Sequence, residues 1–365
     1  LIKAAVFTGD GRYKYAGYHT MDLDSAWLLG QKGIRKYNEL NAVKPQCRSF
    51  NGADSGNIYF RSGWEEDSHF TYLKCGALGS SHGHVDLTHI SLYYKGKSFL
   101  IDSGRYSYRE EEPLRVLLKS AQAHNVCVVD EEFPGKPISS WKYESFAQSM
   151  KNYYREEGPV HYGEMACYGA LSTGDQCMIL RKVIAVDCGI WLIVNDICCT
   201  GVHKVKEYYH LDPSVRAVLS DLGGAGRQWE LKNGDVKMNL WGSHSFQSYP
   251  CLISPRYNQL SDSTYLVRES GFTNRHTDWT CLSGSGVSLT DAVVFQTGNL
   301  KPADQETVTA KEFTLSEQES WILLIWNQET SSGGKLYYCQ DTPIYGKAAA
   351  IHRKEGKSTL YRLRI

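Results

Sequence analysis

The chain has 365 residues, of which 42% are hydrophobic and 12% aromatic. This composition excludes an intrinsically disordered chain, and the length allows one large all-β unit or two to three smaller domains. Forty basic residues balance forty acidic ones, so the chain lacks the basic excess typical of nucleic-acid-binding proteins. No apolar run reaches the roughly 20 residues of a membrane-spanning helix, and we expect no membrane span.

Residues 1–46 are predicted to be helical. The stretch DLDSAWLLGQKGIRKYNEL has an Asp/Ser start, a short apolar patch and a charged continuation, a pattern typical of a helix. The chain begins at Leu1 rather than at Met, and its start lacks the pattern of a signal peptide. We therefore consider that it is part of a longer protein.

From Phe50 onward, short β-rich runs recur between Gly, Asn, Asp and Lys-Gly turns. They include NIYFRSGW, HFTYLKCG, HISLYYKGKSFLID and MILRKVIAVDCGIWLIVNDI. Regular short strands of this kind predict antiparallel sheets packed as a sandwich, with the clearest hairpin turn at Lys95 and Gly96. We place the sandwich at residues 47–300 and a small C-terminal sheet region at 301–365, and the predicted fold class is mainly β.

The eleven cysteines include no CxxC pair, so a cysteine-based zinc site is not expected. We interpret them as buried free thiols, which favours a cytoplasmic location. A periplasmic or secreted location is the alternative, because the natural N-terminus would then lie upstream of Leu1.

Two histidines and an aspartate alternate in the stretch HGHVD. On a predicted strand, His82, His84 and Asp86 would share one face. The following hairpin returns to Asp102, and His124 stands at the mouth of another strand. Two imidazoles and one carboxylate from neighbouring strands suit a divalent metal such as zinc, and structural histidines are the alternative.

These segments together resemble the signature of the heparinase II/III-type polysaccharide lyases. The matching blocks are GSSHGHVDLTHISLYYKGKSFLIDSGRYSY, a following Arg, and SAQAHNVCVVD, preceded by SGNIYFRSGW. The blocks cover about residues 54–130, and EYYHLDP matches more loosely. Each block alone is a weak signal, and their combination is specific.

The resemblance implies an N-terminal α/α toroid followed by a large antiparallel two-layer β-sandwich, with the substrate cleft between them. Residues 1–46 would be the end of the toroid. Carried across by position, the metal ligands fall on His84, Asp102 and His124, and the metal is expected to be zinc that braces the strands. His82 would point into the cleft and Tyr106 would lie near the bound sugar.

Such a lyase cleaves a uronic-acid-containing chain, such as a glycosaminoglycan, by β-elimination. The carboxylate must be neutralised, a base must remove the C5 proton, and an acid must protonate the leaving oxygen. We assign His82 to neutralising the carboxylate or serving as the base, and Tyr106 to the other proton transfer. Further catalytic groups of the family, on toroid helices, are expected upstream of this chain.

Basic side chains near Tyr106 are candidates for holding the acidic substrate. Arg105, Arg109 and Arg115 could bind carboxylate or sulfate groups in forked contacts, and we place Tyr108 with Arg105 and Arg115 among the substrate-binding residues. The alternative is a solvated loop in which the arginines balance the acidic run at 110–112.

Other polar residues are assigned supporting roles. His89 is predicted to be structural, and His210 is predicted to cap a strand or to approach the cleft. Asp86 is expected to orient a ligating histidine or to lie at a strand edge.

Two functional hypotheses remain open. The first is a polysaccharide lyase acting on an acidic polysaccharide or oligosaccharide. The second is a non-catalytic carbohydrate-binding β-sandwich module. A metal-dependent cupin-like isomerase ranks last, because the glutamate and third histidine expected at close spacing are missing.

Overall fold

The computed structural model describes residues 1–17, 20–80, 82–110, 112–220, 228–297, 301–304, 306–328 and 336–365. The chain begins with three helices, α1 (Ile2–Thr8), α2 (Gly11–Ala16) and α3 (Leu23–Glu39). The carboxylate of Asp22 caps α3 by accepting the backbone N–H of Ser25 at 2.6 Å. The predicted helical start is therefore confirmed. No helix of the described residues is long and apolar enough to cross a membrane.

A five-stranded antiparallel meander follows the helices. Lys95 and Gly96 form the tight turn between its last two strands, both with positive φ angles of 49° and 69°, as a two-residue hairpin turn requires. The predicted hairpin is confirmed. The strands are β1 (Phe50–Gly52), β2 (Asn57–Arg61), β3 (Phe70–Lys74), β4 (His89–Tyr94) and β5 (Lys97–Leu100).

The large sheet begins after a short helical crossing, α4 (Pro113–Lys119) and a 3-10 turn (Ala121–Ala123). Its main path runs β10-β11-β12-β13-β18-β16-β15-β14, with β6 on β13, β9 on β11 and β17 on β18. β7 and β8 form a separate small ribbon. The strands are β6 (Cys127–Val129), β7 (Gly135–Pro137), β8 (Tyr143–Phe146), β9 (Gln148–Ser149), β10 (Tyr153–Glu157), β11 (Val160–Ala170), β12 (Gln176–Val186), β13 (Ile190–His210), β14 (Val215–Ser220), β15 (Gln228–Asn233), β16 (Val236–Gly242), β17 (Gln247–Arg256) and β18 (Gln259–Gly284).

The large sheet is buried on both faces. In β13, Trp191 and Ile193 join the core shared with the five-stranded sheet, whereas Leu192 and Val194 join a second core on the opposite face. Burial on both faces explains why this strand is a continuous apolar run rather than an alternating one. The prediction of a mainly β, antiparallel sandwich is confirmed.

The second core is closed by the C-terminal sheet, whose order is β19-β21-β22-β25-β26. A three-stranded sheet, β20-β23-β24, covers its outer face. The predicted domain boundary at residue 300 thus falls between strands of one sheet. The strands are β19 (Ser288–Asp291), β20 (Val294–Gln296), β21 (Val308–Ser316), β22 (Glu319–Trp326), β23 (Leu336–Cys339), β24 (Thr342–Tyr345), β25 (Ala348–Lys354) and β26 (Lys357–Arg364).

The HGHVD stretch is not a strand, and this prediction was wrong. β3 ends at Lys74, in register with His89 at the start of β4, so residues 82–88 have no strand to pair with. They form a loop instead, in which Thr88 has a positive φ of 69°. The alternation of polar residues in this stretch therefore does not place them on one face.

Candidate functional site

Three separate segments bring His84, Asp102 and His124 together. His84 lies in the loop before β4, Asp102 follows the end of β5, and His124 follows the 3-10 turn. One ligand atom from each lies within 4.8 Å of the others. Nδ1 of His124 is 2.8 Å from a carboxylate oxygen of Asp102, and the two histidine rings are 5.3 Å apart.

Asn125 holds these segments in place. Its side-chain amide donates to the carbonyls of Ile90 at 2.7 Å and Ile101 at 3.0 Å. Its side-chain oxygen accepts the backbone N–H of His210 at 2.5 Å, and its own N–H donates to Nδ1 of His89 at 3.1 Å. A single buried asparagine thus joins β4, β13 and the start of the Asp102 segment.

Arg181, on β12, makes hydrogen bonds to the segments that carry His84 and His124. Its guanidinium is fully buried and donates to the carbonyls of Thr88 at 2.7 Å and Asn125 at 2.5 Å. Thr88 ends the loop that carries His84, and Asn125 follows His124. Arg181 therefore connects the large sheet to both histidine-bearing loops.

Burial and mutual repulsion keep some of the histidines neutral. Burial, reinforced by His124, lowers the pKa of His84 to about 3. Burial also opposes the charges of Asp102 and His124, but their mutual attraction and hydrogen bond outweigh it. As a result the pKa of Asp102 is lowered and that of His124 is raised.

The donor set fits a zinc ion by its chemistry. Because Asp102 accepts from Nδ1 of His124, the neutral imidazole keeps its lone pair on Nε2. That Nε2 is buried and has no hydrogen-bond partner in the described part of the chain. A histidine with one nitrogen on a carboxylate and the other free is the usual form of a metal ligand. On His84, Nε2 accepts from Arg115 at 3.2 Å, a contact that a metal bound through this nitrogen would replace.

His82 is separated from the other two residues of its stretch. It is exposed, and its ring meets Tyr108 at 5.6 Å and Trp141 at 5.3 Å, edge to face. Asp86 is instead buried and pairs with Lys74 at 2.5 Å. The structure therefore brings His82 to an aromatic surface, and pairs Asp86 with a lysine.

Arg105 sets the proton position on His82. Its NH2 group lies 3.1 Å from Nδ1 of His82 and also donates to the His82 carbonyl at 3.1 Å. A guanidinium only donates, so Nδ1 is an acceptor and a neutral His82 carries its proton on Nε2. Arg105 also packs on the ring of Tyr108, 4.2 Å from its centroid, and donates to the Tyr108 hydroxyl.

A second cation lies behind this surface. Arg115 is fully buried, with its guanidinium 5.6 Å from the centre of the Trp141 ring. Its Nε and NH2 have no hydrogen-bond partner in the described part of the chain. Burial, then repulsion from Arg115 and Arg105, lowers the pKa of nearby Lys119 to about 8. Arg105, Arg115 and Lys119 together therefore create an electropositive environment.

Tyr106 and Arg109 contact neighbouring segments through their backbone carbonyls. Tyr106 has a positive φ of 66°, uncommon for an aromatic residue and typical of strained functional segments. Its carbonyl accepts the N–H of Asn258 at 2.7 Å, at the tip of the β17–β18 hairpin. Arg109 is exposed, and its carbonyl accepts the hydroxyl of Ser140.

His89 and His210 are both buried. Nδ1 of His89 accepts from the Asn125 backbone, which agrees with the predicted structural role. His210 is the last residue of β13, and its Nδ1 lies 3.3 Å from the Asn125 side-chain oxygen. The prediction that it ends a strand is confirmed.

Sequence reasoning missed four residues of this site. Trp141 and Tyr257 extend the aromatic surface, with rings 6.1 and 5.5 Å from that of Tyr108, and Lys119 and Arg181 add buried cations. Tyr257 lies far from the others in sequence, so no local pattern connects them. Arg181 carries a detectable signal, because an arginine stands within the apolar run MILRKVIAV.

Comparisons with known proteins agree with this architecture. A family profile described as "Heparinase II/III-like, C-terminal" matches residues 45–325. No curated protein matches the chain.

Solved structures share the fold. The heparan sulfate lyase HepC from Pedobacter heparinus is 14% identical with a TM-score of 0.63, over 88% of this chain and 49% of its own. The Heparinase III-BT4657 gene product is 16% identical with a TM-score of 0.59, over 93% of this chain and 46% of its own. A structure described as Heparinase III is 13% identical with a TM-score of 0.56, over 79% of this chain and 44% of its own. The chain thus spans about half the length of these structures.

Proposed function

The chain belongs to the heparinase II/III-like family through its C-terminal domain, and from that premise we propose that it is the sandwich portion of a polysaccharide lyase. The substrate is a uronic-acid-containing glycan such as a glycosaminoglycan, cleaved by β-elimination. The proposal extends to this chain the activity named for the heparan sulfate lyase and heparinase III structures that share its fold.

One observation carries the proposal. Arg115 is a buried guanidinium with two donors that have no partner among the described residues, beside a surface formed by His82, Tyr108 and Trp141. A buried donor without a partner costs about 1–3 kcal/mol. An anion that accepts from Arg115 gains part of that energy, after a local shift that opens these solvent-inaccessible donors to the surface. A planar carboxylate or a sulfate fits such a fork, and the aromatic rings suit the apolar face of a sugar.

Each of these residues is assigned a separate role in the elimination reaction. Arg115 holds the acidic group of the substrate, and Nε2–H of His82 donates to the uronate carboxylate, which makes the C5 proton easier to remove. Tyr106 transfers a proton to or from the sugar, and Arg105 keeps His82 in the required tautomer. Tyr108 stacks on the sugar. Partner groups on helices upstream of this chain complete the reaction.

His84, Asp102 and His124 would hold a zinc ion. Its contribution there is to brace the three segments that carry the site, as a structural metal does. The proton transfers are assigned to the chain's own side chains.

The lyase assignment is tested with heparan sulfate, hyaluronan, chondroitin and alginate, by following the ultraviolet absorbance of the unsaturated uronate product. The protein is tested as this chain and as a version with its upstream region restored. We expect product from the longer version, with a 10- to 100-fold loss in kcat/KM for Arg115→Met, because a charge-assisted contact is worth about 1.5–3 kcal/mol. Arg216→Met, an exposed arginine on β14, is the matched control.

Two outcomes would reject the catalytic role. If both versions bind glycan but release no unsaturated product, the chain is a carbohydrate-binding module instead. If Arg115→Met and Arg216→Met behave alike, the buried guanidinium is not the anion-binding group.

Zinc content tests the metal site independently of activity. We expect one zinc per chain by elemental analysis after exposure to zinc and removal of the excess, and loss of that zinc in His124→Ala. His244→Ala, an exposed histidine on the same protein, should keep it. Equal zinc in His124→Ala and His244→Ala would remove the ligand assignment.

A further inference from the structure

A row of aromatic side chains crosses three strands next to the proposed site. His210 on β13 is directly opposite Tyr265 on β18, and Tyr265 is directly opposite Tyr249 on β17. Directly opposite residues point to the same face of a sheet. The neighbouring row on that face contains Tyr208, Val267 and Gln247 in the same order.

The rings of this row lie against one another. The Tyr265 ring is 5.4 Å from that of His210 and 5.7 Å from that of Tyr249, stacked in both cases. Tyr208 lies 5.7 Å from Tyr265. The stack therefore passes from a buried histidine to a tyrosine that is 43% exposed, Tyr249.

The exposed end of the row opens into a groove of about 440 Å³, within the size range of small-ligand sites. We call it the tyrosine groove. Ser245 and Gln247 add polar side chains to it, and the hydroxyl of Tyr249 donates to the Gln247 side chain at 2.7 Å. Its lining is Lys206, Tyr208, Ser245, Gln247, Tyr249, Tyr265, Val267, Arg268 and Glu269.

Contacts through the protein interior link the groove to the proposed site. His210, at the buried end of the row, contacts the side chain of Asn125, the residue after His124. The same β17–β18 hairpin carries Tyr257 at its tip, against Tyr108. Tyr265 on β18 is eight residues after Tyr257 in the hairpin turn, a span of up to about 26 Å at 3.3 Å per residue. One sugar ring cannot contact both ends, but a longer chain can.

The groove contributes little net charge. Lys206 pairs with Glu131 at 2.6 Å and lies 3.8 Å from Glu269. The guanidinium of Arg268 is ion-paired with Glu207 and Asp278, both buried. Binding here would therefore depend on stacking and hydrogen bonds, in contrast to the cationic surface around Arg115.

We propose that the tyrosine groove binds further sugar units of the glycan, beyond the unit held by Arg115 and His82. This inference rests on the proposed function, since it assigns the groove to the same substrate. Tyr249 stacks on a sugar face, and Gln247 and Ser245 bond to its hydroxyl groups. The groove thus favours long chains over short ones.

Binding of a uronate-containing disaccharide and of a long heparan sulfate chain, measured by calorimetry on the full chain, tests the groove. Tyr249→Ala should weaken binding of the long chain about tenfold, as loss of an aromatic anchor does, and leave the disaccharide unchanged. Tyr249→Phe, which keeps the ring, should restore most of the affinity. Tyr345→Ala, in the C-terminal part of the chain and 46% exposed, should bind as the wild type does.

High salt tests the stacking assignment. The tenfold loss in Tyr249→Ala should persist at high salt, because salt screens attraction between exposed charges and not stacking. If the wild type binds no glycan at all, the proposed function fails and the groove assignment fails with it. If the wild type binds and Tyr249→Ala binds the long chain equally well, the groove assignment alone is overturned.

Discussion

Two polar clusters lie within this molecule, one buried and one that reaches the surface at Asp102, and they differ in how their charges are satisfied. The first, which we call the anchor cluster, comprises Arg181, Glu207, Arg268 and Asp278 in the large sheet. Glu207 accepts from Asn195 at 2.6 Å and Tyr209 at 2.5 Å, and it contacts both arginines. Two cations thus face two carboxylates.

The second, which we call the loop site, comprises His84, Asp102, Arg115 and His124. Here Nε2 of His124 and two donors of Arg115 have no partner in the described residues, and Arg115 makes no ion pair with a described acidic residue. Native proteins rarely leave buried polar atoms unpaired without a functional reason. In the anchor cluster, Nε of Arg268 and Oε2 of Glu207 also lack a hydrogen bond within the described residues, but both groups belong to ion pairs. The ion pairs therefore favour a supporting role in the fold for the anchor cluster, and the unpaired cation favours a ligand-binding role for the loop site.

The largest effect is expected in the anchor cluster. Arg181→Met removes the donors to Thr88 and Asn125 and leaves Glu207 with one cation fewer. Breaking a buried pair typically costs about 3–5 kcal/mol, and we expect a loss of that size in the free energy of unfolding. Urea unfolding measures it, with Arg216→Met as the exposed control. A loss below about 1 kcal/mol would show that the cluster does not support the fold.

Asn125 connects the two clusters, and its removal is expected to cost less. Asn125→Ala leaves the carbonyls of Ile90 and Ile101 and the N–H of His210 without their partners. At about 1–3 kcal/mol for an unsatisfied buried group, partly relieved by water entry, we expect about 2–3 kcal/mol in urea unfolding. Asn38→Ala, on the exposed side of α3, should change stability little. Equal stability of the two variants would contradict the connecting role.

Acid should destabilise the protein through its buried neutral histidines. Burial, then repulsion from His124, lowers the pKa of His210 to about 3, against about 6.5 in the unfolded chain. Because the folded pKa is depressed, this stabilisation is present above pH 6.5 and is lost as the pH falls toward 3. One such histidine costs about 1–2 kcal/mol between pH 7 and pH 5. His210→Gln should therefore flatten the pH dependence of urea unfolding by that amount, and an unchanged slope would reject the assignment.

The sequence predicts the sheets better than it predicts the loop that carries His82, His84 and Asp86. Strands such as β13 and the hairpin turn at Lys95 depend on local apolar runs and turn chemistry, and those predictions were confirmed. The alternation of His82, His84 and Asp86 predicted a strand face, but strand pairing ends at Lys74 and starts again at His89. Whether this stretch forms a strand depends on pairing with another strand. The alternation of polar residues along the sequence carries no information about that pairing.

The loop site depends on contacts between distant segments. Arg115, Trp141 and Tyr257 come from three parts of the chain that no spacing connects. The hairpin return predicted that Asp102 and His124 lie near the HGHVD stretch, and the resemblance of the motif blocks then selected His84 as the ligand from that stretch. Which polar atoms stay unpaired is a property of the folded chain, and the sequence alone cannot show it.

The smallest effect is expected for Arg115→Met, although Arg115 is as fully buried as Arg181. The substitution removes a guanidinium that has one contact to His84 at 3.2 Å and two donors without a partner in the described part of the chain. Met fills much of the same volume next to Trp141. Replacing a poorly compensated buried charge by an apolar group is often neutral or stabilising. We expect a change in the free energy of unfolding within about 1 kcal/mol, against about 3–5 kcal/mol for Arg181→Met. The same urea experiment measures both variants. Equal large losses would show that the Arg115 side chain supports the fold as Arg181 does, and that its free donors are not reserved for an anion.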